Sequence, residues 1–325
     1  MKIPPPFKIN NEMLNLISKI EANRIIISSI DLPKQFKEEI HRESLLRSSV
    51  FSAKIEGNKL NVEDYPFSAK EKERFEIQNI VSALKYLDKK LISNSKLLER
   101  LIFLIHREVM KNLSNKAGKY RNEMWAVYNS AGYPVYIATP PSEIQISMDK
   151  LLTYINKEEG FPIITAFISH LIFEKIHPFA DGNGRVGRIL IFVVLKLKGV
   201  EFNTFIPFEE FLYERRNDYY HFLDVGLKET EAYLVFMLKV FLEQTEGVKA
   251  RFIKRVDAKD NAPLLPPRQR EIYLIIFEHK IVNFDFIRRR FLKVPQRTLR
   301  YDLKKLVDSG YVKKVGNTKG VFYSI

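Results

Sequence analysis

Residues His177 to Arg188 read His-Pro-Phe-Ala-Asp-Gly-Asn-Gly-Arg-Val-Gly-Arg, so a proton acceptor, a hard oxygen ligand and two guanidinium groups fall within twelve positions. Of these side chains only the His177 imidazole titrates near neutrality, which suits it to take a proton from a hydroxyl nucleophile. Asp181 offers one carboxylate, enough for a Mg²⁺ ion that completes its shell with substrate phosphates. Gly182 and Gly184 flank Asn183 and let the backbone approach a ligand. Arg185 and Arg188 stand three apart, on one face of a helix, where their planar forks suit phosphate oxygens. Phe179 is expected to turn inward and anchor the loop.

Two elements must hold this string. Gly160 to Lys175 is apolar at helical spacing and Ile189 to Leu197 is apolar again, which predicts a loop between two buried helices. Asp181-Gly182-Asn183-Gly184 is turn chemistry, so the second helix should begin near Gly184 with free N–H groups over the loop. Phosphate is the natural occupant of such a helix start. Taken singly, a His before Pro, a Gly-Asn-Gly turn and spaced arginines are ordinary features; their combination at this spacing is not.

The string resembles, without departure, the signature His-x-Phe-x-[Asp/Glu]-Gly-Asn-Gly-Arg-x-x-Arg of the Fic (Fido) family, whose better-known members transfer AMP from ATP to protein hydroxyls. The resemblance implies His177 as base, Asp181 as Mg²⁺ ligand, and Gly182, Asn183 and Gly184 as anion cradle. It implies Arg185 on the inner phosphates and Arg188 on the γ-phosphate. The acceptor would be a Ser, Thr or Tyr of a target protein. Upstream, Ser52-Ala53-Lys54-Ile55-Glu56-Gly57 resembles the family's inhibitory pattern. Ser52 and Glu56, four apart, share a helix face that Gly57 can terminate. By that resemblance Glu56 pairs with Arg188 and fills the space the γ-phosphate needs.

Gly118-Lys119-Tyr120-Arg121, Val127-Tyr128, Gly132-Tyr133 and Val135 to Ala138 read as two short strands around a Gly-containing turn. They are similar to the family's flap, which aligns a target segment by strand addition. Asn217 to Leu223 resembles the segment carrying adenine contacts, with Tyr219 and Tyr220 as candidate ring faces; either aromatic is equally readable as core.

The 325 residues can bury a substantial core and exceed one typical domain. The absence of cysteine excludes disulfides, thiolate catalysis and Cys-ligated zinc, and fits a reducing cytosol. The longest apolar run, Ile189 to Leu195, is too short to span a bilayer, so a cytoplasmic protein with no membrane partner is expected. Breaks in the pattern divide the chain into an N-terminal helical region (1–94), a core (95–246), a charged, proline-ended linker or a helix running into one (247–263) and a C-terminal domain (264–325). The expected class is mainly α, a Fic-type helical bundle with a β-hairpin flap.

Beyond the linker, helices are predicted over Arg268 to Phe277, Phe284 to Phe291 and Pro295 to Ser309, then a hairpin over Tyr311 to Ile325 turning at Gly316 to Gly320. That order resembles a winged helix-turn-helix. From Leu264 onward fourteen Lys and Arg face five Asp and Glu, which concentrates the chain's formal charge of +14 here. In such a module Gln296, Arg297, Thr298 and Arg300 would enter a DNA groove, with Lys313, Lys314 and Lys319 on phosphates; protein contact is the alternative use. Two functional classes follow. One is a self-inhibited protein adenylyltransferase, with transfer of UMP or phosphocholine, or removal of AMP, as variants. The other is a DNA-binding regulator that senses ATP, a role that has no need of a base at His177. A homodimer that buries or releases the Glu56 helix rests on analogy.

Overall fold

A computed structural model describes the chain except residues 31–33, 66–67, 69, 129–133, 158–159, 201–205, 261–264, 293, 317–319 and 325. It comprises two compact units, Met1–Lys249 and Ala250–Ile325. The segments 1–94 and 95–246, distinguished in the sequence, lie together in the first.

In that unit the centre is α6 (Pro162–Ile176) against α7 (Asn183–Leu197). α6 is apolar on every side and almost wholly buried, with Pro162 in its first turn where a missing N–H costs nothing. α5 (Pro141–Ile155) covers α6, while α2 (Lys34–Ile55), α3 (Glu71–Lys90) and α4 (Glu99–Val109) reach α7. α1 (Asn11–Ser29) starts at Asn10, whose side chain accepts the Met13 N–H. α8 (Phe208–Glu214) packs on α2; α9 (Arg216–Val225) and α10 (Thr230–Asp260) follow. Phe167, Phe173, Phe179, Tyr233 and Phe241 are fully buried in this core.

β1 (Ala126–Tyr128) pairs antiparallel with β2 (Pro134–Ile137), Val127 opposite Tyr136, so a hairpin stands between α4 and α5. Gly118 to Arg121 is not part of it: Gly118 closes a turn at φ 77°, its N–H goes to the His106 ring, and no strand follows before Ala126. The Gly132-Tyr133 turn lies outside the described residues. The predicted linker is helical through Asp260, since Val248 to Ala258 supplies helix-forming Lys, Arg and Ala and no proline comes before Pro263. Asn261 to Leu264 lies outside the described residues.

The second unit runs α11 (Pro267–His279), β3 (Ile281–Asn283), α12 (Phe284–Arg288), α13 (Gln296–Asp308), β4 (Lys313–Val315) and β5 (Phe322–Ser324). β5 is the central strand between β3 and β4, antiparallel to both. Ile272, Ile276, Ile287, Leu299, Leu303 and Leu306 form its own core, and buried Asp302 ties α13 to Arg268 and Gln269 of α11. Three residues of β3 between two helices are too few to show an alternating pattern in sequence.

Candidate active site

α6 ends at His177, whose backbone takes the left-handed conformation (φ 50°, ψ 60°) while its N–H still closes on the Phe173 carbonyl. Such a conformation is uncommon in a residue with a side chain and persists only where neighbours enforce it. Arg121 is the enforcer: its Nε donates to the His177 carbonyl at 2.7 Å, its Nη2 reaches the carbonyls of Ile176 and Thr139, and its own N–H bonds the Pro178 carbonyl. The His177 ring stacks on Trp125, centroids 5.6 Å apart. Burial, followed by the nearby Arg121 charge, lowers its pKa to about 4, so the imidazole is neutral and able to accept a proton at physiological pH.

The loop after His177 is pinned from within. Asn183 bonds the Phe179 N–H and carbonyl with its side-chain amide, and Phe179 is buried against His106, ring on ring at 3.7 Å. His106 Nδ1 accepts from Gly118 N–H, which leaves Nε2–H to donate to the Asp181 carbonyl at 3.0 Å. Of the three cradle residues, Asn183 thus spends its side chain on the loop and offers only backbone. α7 begins at Asn183, with Gly182 as N-cap at φ 81° and no side chain capping the first turn. Those first-turn N–H groups have no helical acceptor.

Asp181 is 68% exposed; its Oδ1 accepts from the Gly182 N–H and from Arg185 Nη2 at 3.2 Å. A single exposed carboxylate beside anion-seeking N–H groups fits a Mg²⁺ ion carried in with phosphates. Arg185 is buried, and its Nε and Nη1 have no hydrogen-bond partner among the described residues. Unpaired guanidinium donors at a helix start are suited to an incoming anion.

Arg188 is occupied. Its Nε donates to Ser52 Oγ at 3.0 Å, and its Nη2 donates to the Ser52 carbonyl at 2.9 Å and to Glu56 Oε1 at 2.8 Å. Its side chain is 1% exposed, whereas Glu56 is 37% exposed and reaches in from the turn that ends α2, where Gly57 takes φ 101°. Burial opposes the Arg188 charge, but Glu56, Tyr219 and Glu174 more than offset it and raise its pKa. The Glu56 carboxylate lies so close over Gly184 that an added Cβ there would overlap it. Glu56 therefore sits on the first turn of α7 as an anion would.

Tyr219 and Tyr220 line the same cavity, about 460 Å³, with Glu56, His177, Gly184 and Arg188. Tyr219 is 1% exposed, its hydroxyl 2.8 Å from His170 Nε2. Tyr220 is 41% exposed, and its hydroxyl donates to the Ile55 carbonyl at the end of α2. Tyr136 of the hairpin bonds the Lys175 carbonyl, with the Lys175 ammonium 4.0 Å over its ring. Gln296, Arg297, Arg300, Lys313 and Lys314 belong to the second unit and are exposed; Thr298 is half-buried, Arg300 lies over the Phe284 ring, and Lys319 lies outside the described residues. Sequence reading passed over His106, Trp125, His170 and Glu174, and named Arg121 only as part of a strand. The string before His177 held the one available signal, His170 and Glu174 at i and i+4 inside an otherwise apolar helix.

Residues 96–195 match the family model described as Fic/DOC family. Among curated relatives, protein adenylyltransferase Fic of Drosophila willistoni is 24% identical over 223 residues, 65% of this chain and 42% of that protein. Its counterpart in Drosophila virilis is 28% identical over 158 residues, 47% of this chain and 30% of that protein. The chain thus spans less than half the length of the curated relatives it matches. A Fic family protein from Desulfovibrio desulfuricans G20 shares the fold over 99% of this chain and 98% of its own (TM-score 0.69, 19% identity). Fic-1 (residues 134–508) from C. elegans does so over 76% of this chain and 73% of its own (TM-score 0.61, 21% identity). Signature, helical architecture and family model agree: residues 96–195 carry a Fic/DOC domain, in a fold shared with solved Fic-family structures.

Proposed function

We propose that the protein is a protein adenylyltransferase held inactive by Glu56. The observation that carries this is the Glu56 carboxylate seated between Arg188 and the first turn of α7, one loop from a neutral His177. When Glu56 withdraws, Arg188 and the free N–H groups of α7 become available to phosphate, and Arg185 already carries unpaired donors. ATP would lie with its terminal phosphates there and its base toward Tyr220, Tyr219 then serving as a wall backed by His170. Asp181 would hold Mg²⁺, which neutralises phosphate charge. His177 takes the proton of a Ser, Thr or Tyr hydroxyl on the target as its oxygen attacks the α-phosphorus. The bond to the β-phosphate oxygen breaks and pyrophosphate leaves. Positioning and charge stabilisation supply the acceleration. The β1–β2 hairpin is the element that would align the target chain by strand addition. Relatives that are protein adenylyltransferases support AMP as the group moved.

The test is to supply ATP labelled at the α- or the γ-phosphate, with Mg²⁺, to the Glu56→Gly protein and follow label held on protein. Retention of α label alone supports nucleotidyl transfer; retention of neither, with ATP bound and lysate supplied as acceptor, favours the ATP-sensing regulator. A second reading concerns the C-terminal unit. Its α13 presents Arg297, Arg300, Lys304 and Lys305, with Lys313 and Lys314 exposed on β4. We propose that it is a winged helix-turn-helix whose basic face meets nucleic-acid backbone.

A further inference from the structure

α6 carries a second carboxyl against the same cavity, and the proposed transfer makes no use of it. Glu174 lies one turn before His177, 13% exposed, on the wall shared by Glu56 and Arg188. Its Oε1 has no hydrogen-bond partner among the described residues and lies 3.9 Å from Nδ1 of the fully buried His170. The carboxyl lies so close on α7 that an added Cβ at Gly187 would overlap it. Helix α7 therefore runs beneath two carboxyls, Glu56 over Gly184 and Glu174 over Gly187, and the Arg188 guanidinium acts on both.

We infer that Glu174 is a positioning residue for the anion site: it keeps a proton whenever an anion, Glu56 or the terminal phosphate of a nucleotide, sits against Arg188. The inference rests on the nucleotide-transfer reading. Its physical ground is that a buried carboxyl does not ionise cheaply when a second anion already faces the nearest guanidinium. Burial first, with Glu56 adding to it and Arg188 and Lys175 opposing, lifts the Glu174 pKa to about 8. The other groups around it do not titrate in that range. His170 and His177 on α6 are lowered to about 3 and 4, and the Tyr219 and Tyr233 hydroxyls of α9 and α10 are raised far above it. Lys175 is lowered from its ordinary value but faces Asp224, and Arg188 stays charged.

Without Glu56 one like charge is gone, so Glu174 ionises more readily in the free site and an arriving phosphate must restore its proton. Anion binding then takes up a proton. Affinity is full below the free-site pKa of Glu174 and falls as pH rises above it, by up to about tenfold per pH unit. A nucleotide with several charges should bind best where Glu174 is neutral.

The experiment titrates the Glu56→Gly protein, full length, with α,β-methylene ATP and Mg²⁺, which bind without transfer. Calorimetry from pH 7 to 9, in two buffers of different ionisation enthalpy, gives affinity and proton uptake together. The expected result is net uptake and a several-fold loss of affinity across that range, both abolished when Glu174→Gln is added. The glutamine keeps the shape and a hydrogen-bond donor, and titration of the nucleotide itself is common to both proteins. Absence of proton uptake in the Glu56→Gly protein, or the same pH profile after Glu174→Gln, would overturn the inference while leaving the nucleotide site intact. No binding of the analogue at any pH would remove the nucleotide reading, and this inference with it.

Discussion

Replacing His177 by alanine should lower transfer in the Glu56→Gly background by about 10²- to 10⁴-fold, the usual contribution of a positioned base, with ATP affinity little changed. Because burial holds the His177 pKa at about 4, the acid limb of the pH–rate profile should fall near pH 4 instead of 6.5. A limb at 6.5 that remains in His177→Ala would assign it to another group. The residues that the proposed reaction uses were legible from their order alone, since the proposed base, metal ligand and arginines lie in one short string. The residues that hold them were not. Arg121 acts on a carbonyl 56 positions away and His106 on one 75 positions away, and no local pattern announces such a contact.

At the scale of elements, what covers Arg188 is the end of α2, and what fastens that end is shared. Ser52 and Glu56 bind Arg188 of α7, and Tyr220 of α9 donates to the Ile55 carbonyl at 3.1 Å. Tyr220→Phe keeps the ring and removes only the second fastening, worth about 0.5–1.5 kcal/mol. Basal transfer by the otherwise unaltered protein should rise roughly two- to tenfold, the population shift that energy permits; a drop in kcat with unchanged KM for ATP would give the hydroxyl a different task. Pattern revealed α6 and α7 because an apolar run on either side of a polar loop is a strong periodic signal. It revealed less of the hairpin, whose strands of three and four residues carry almost no period, and nothing of β3. Only a compact arrangement of helices brings Ser52 and Arg188, 136 residues apart, within hydrogen-bond reach.

Across the whole molecule, buried titratable groups of opposite tendency give stability a maximum in pH. His106, His170 and His177 are held neutral, with pKa lowered by burial to about 4, 3 and 4. An unfolded chain binds protons at these positions from pH 6.5 downward, so their contribution is present above 6.5 and lost as pH falls toward 4. Glu174, raised to about 8, and Glu209, also raised by burial, act the other way. Their contribution is present below about 4.5 and lost as pH rises through their folded pKa values. Stability to urea should therefore peak near pH 6.5, and Glu174→Gln should flatten the alkaline side; a midpoint unchanged between pH 6.5 and 8.5 in the parent would contradict this. For the C-terminal unit, Arg297→Glu with Arg300→Glu, both on the exposed face of α13, should weaken duplex binding at least tenfold in a shift assay and reduce its salt dependence. Equal binding would place the basic contact elsewhere. That unit's charge was plain in the sequence, while Asp302, buried at its centre against Arg268 and Gln269, reads in sequence as one more surface acid.

The measurement that tests the central claim most directly compares transfer of α-labelled AMP to protein by the parent, Glu56→Gly and Glu56→Gly/His177→Ala, at one Mg²⁺ and ATP concentration. The expected order is weak, strong and near zero: Glu56 blocks a competent site and His177 works within it. Equal labelling by parent and Glu56→Gly would contradict the claim that the Glu56–Arg188 pair gates the reaction.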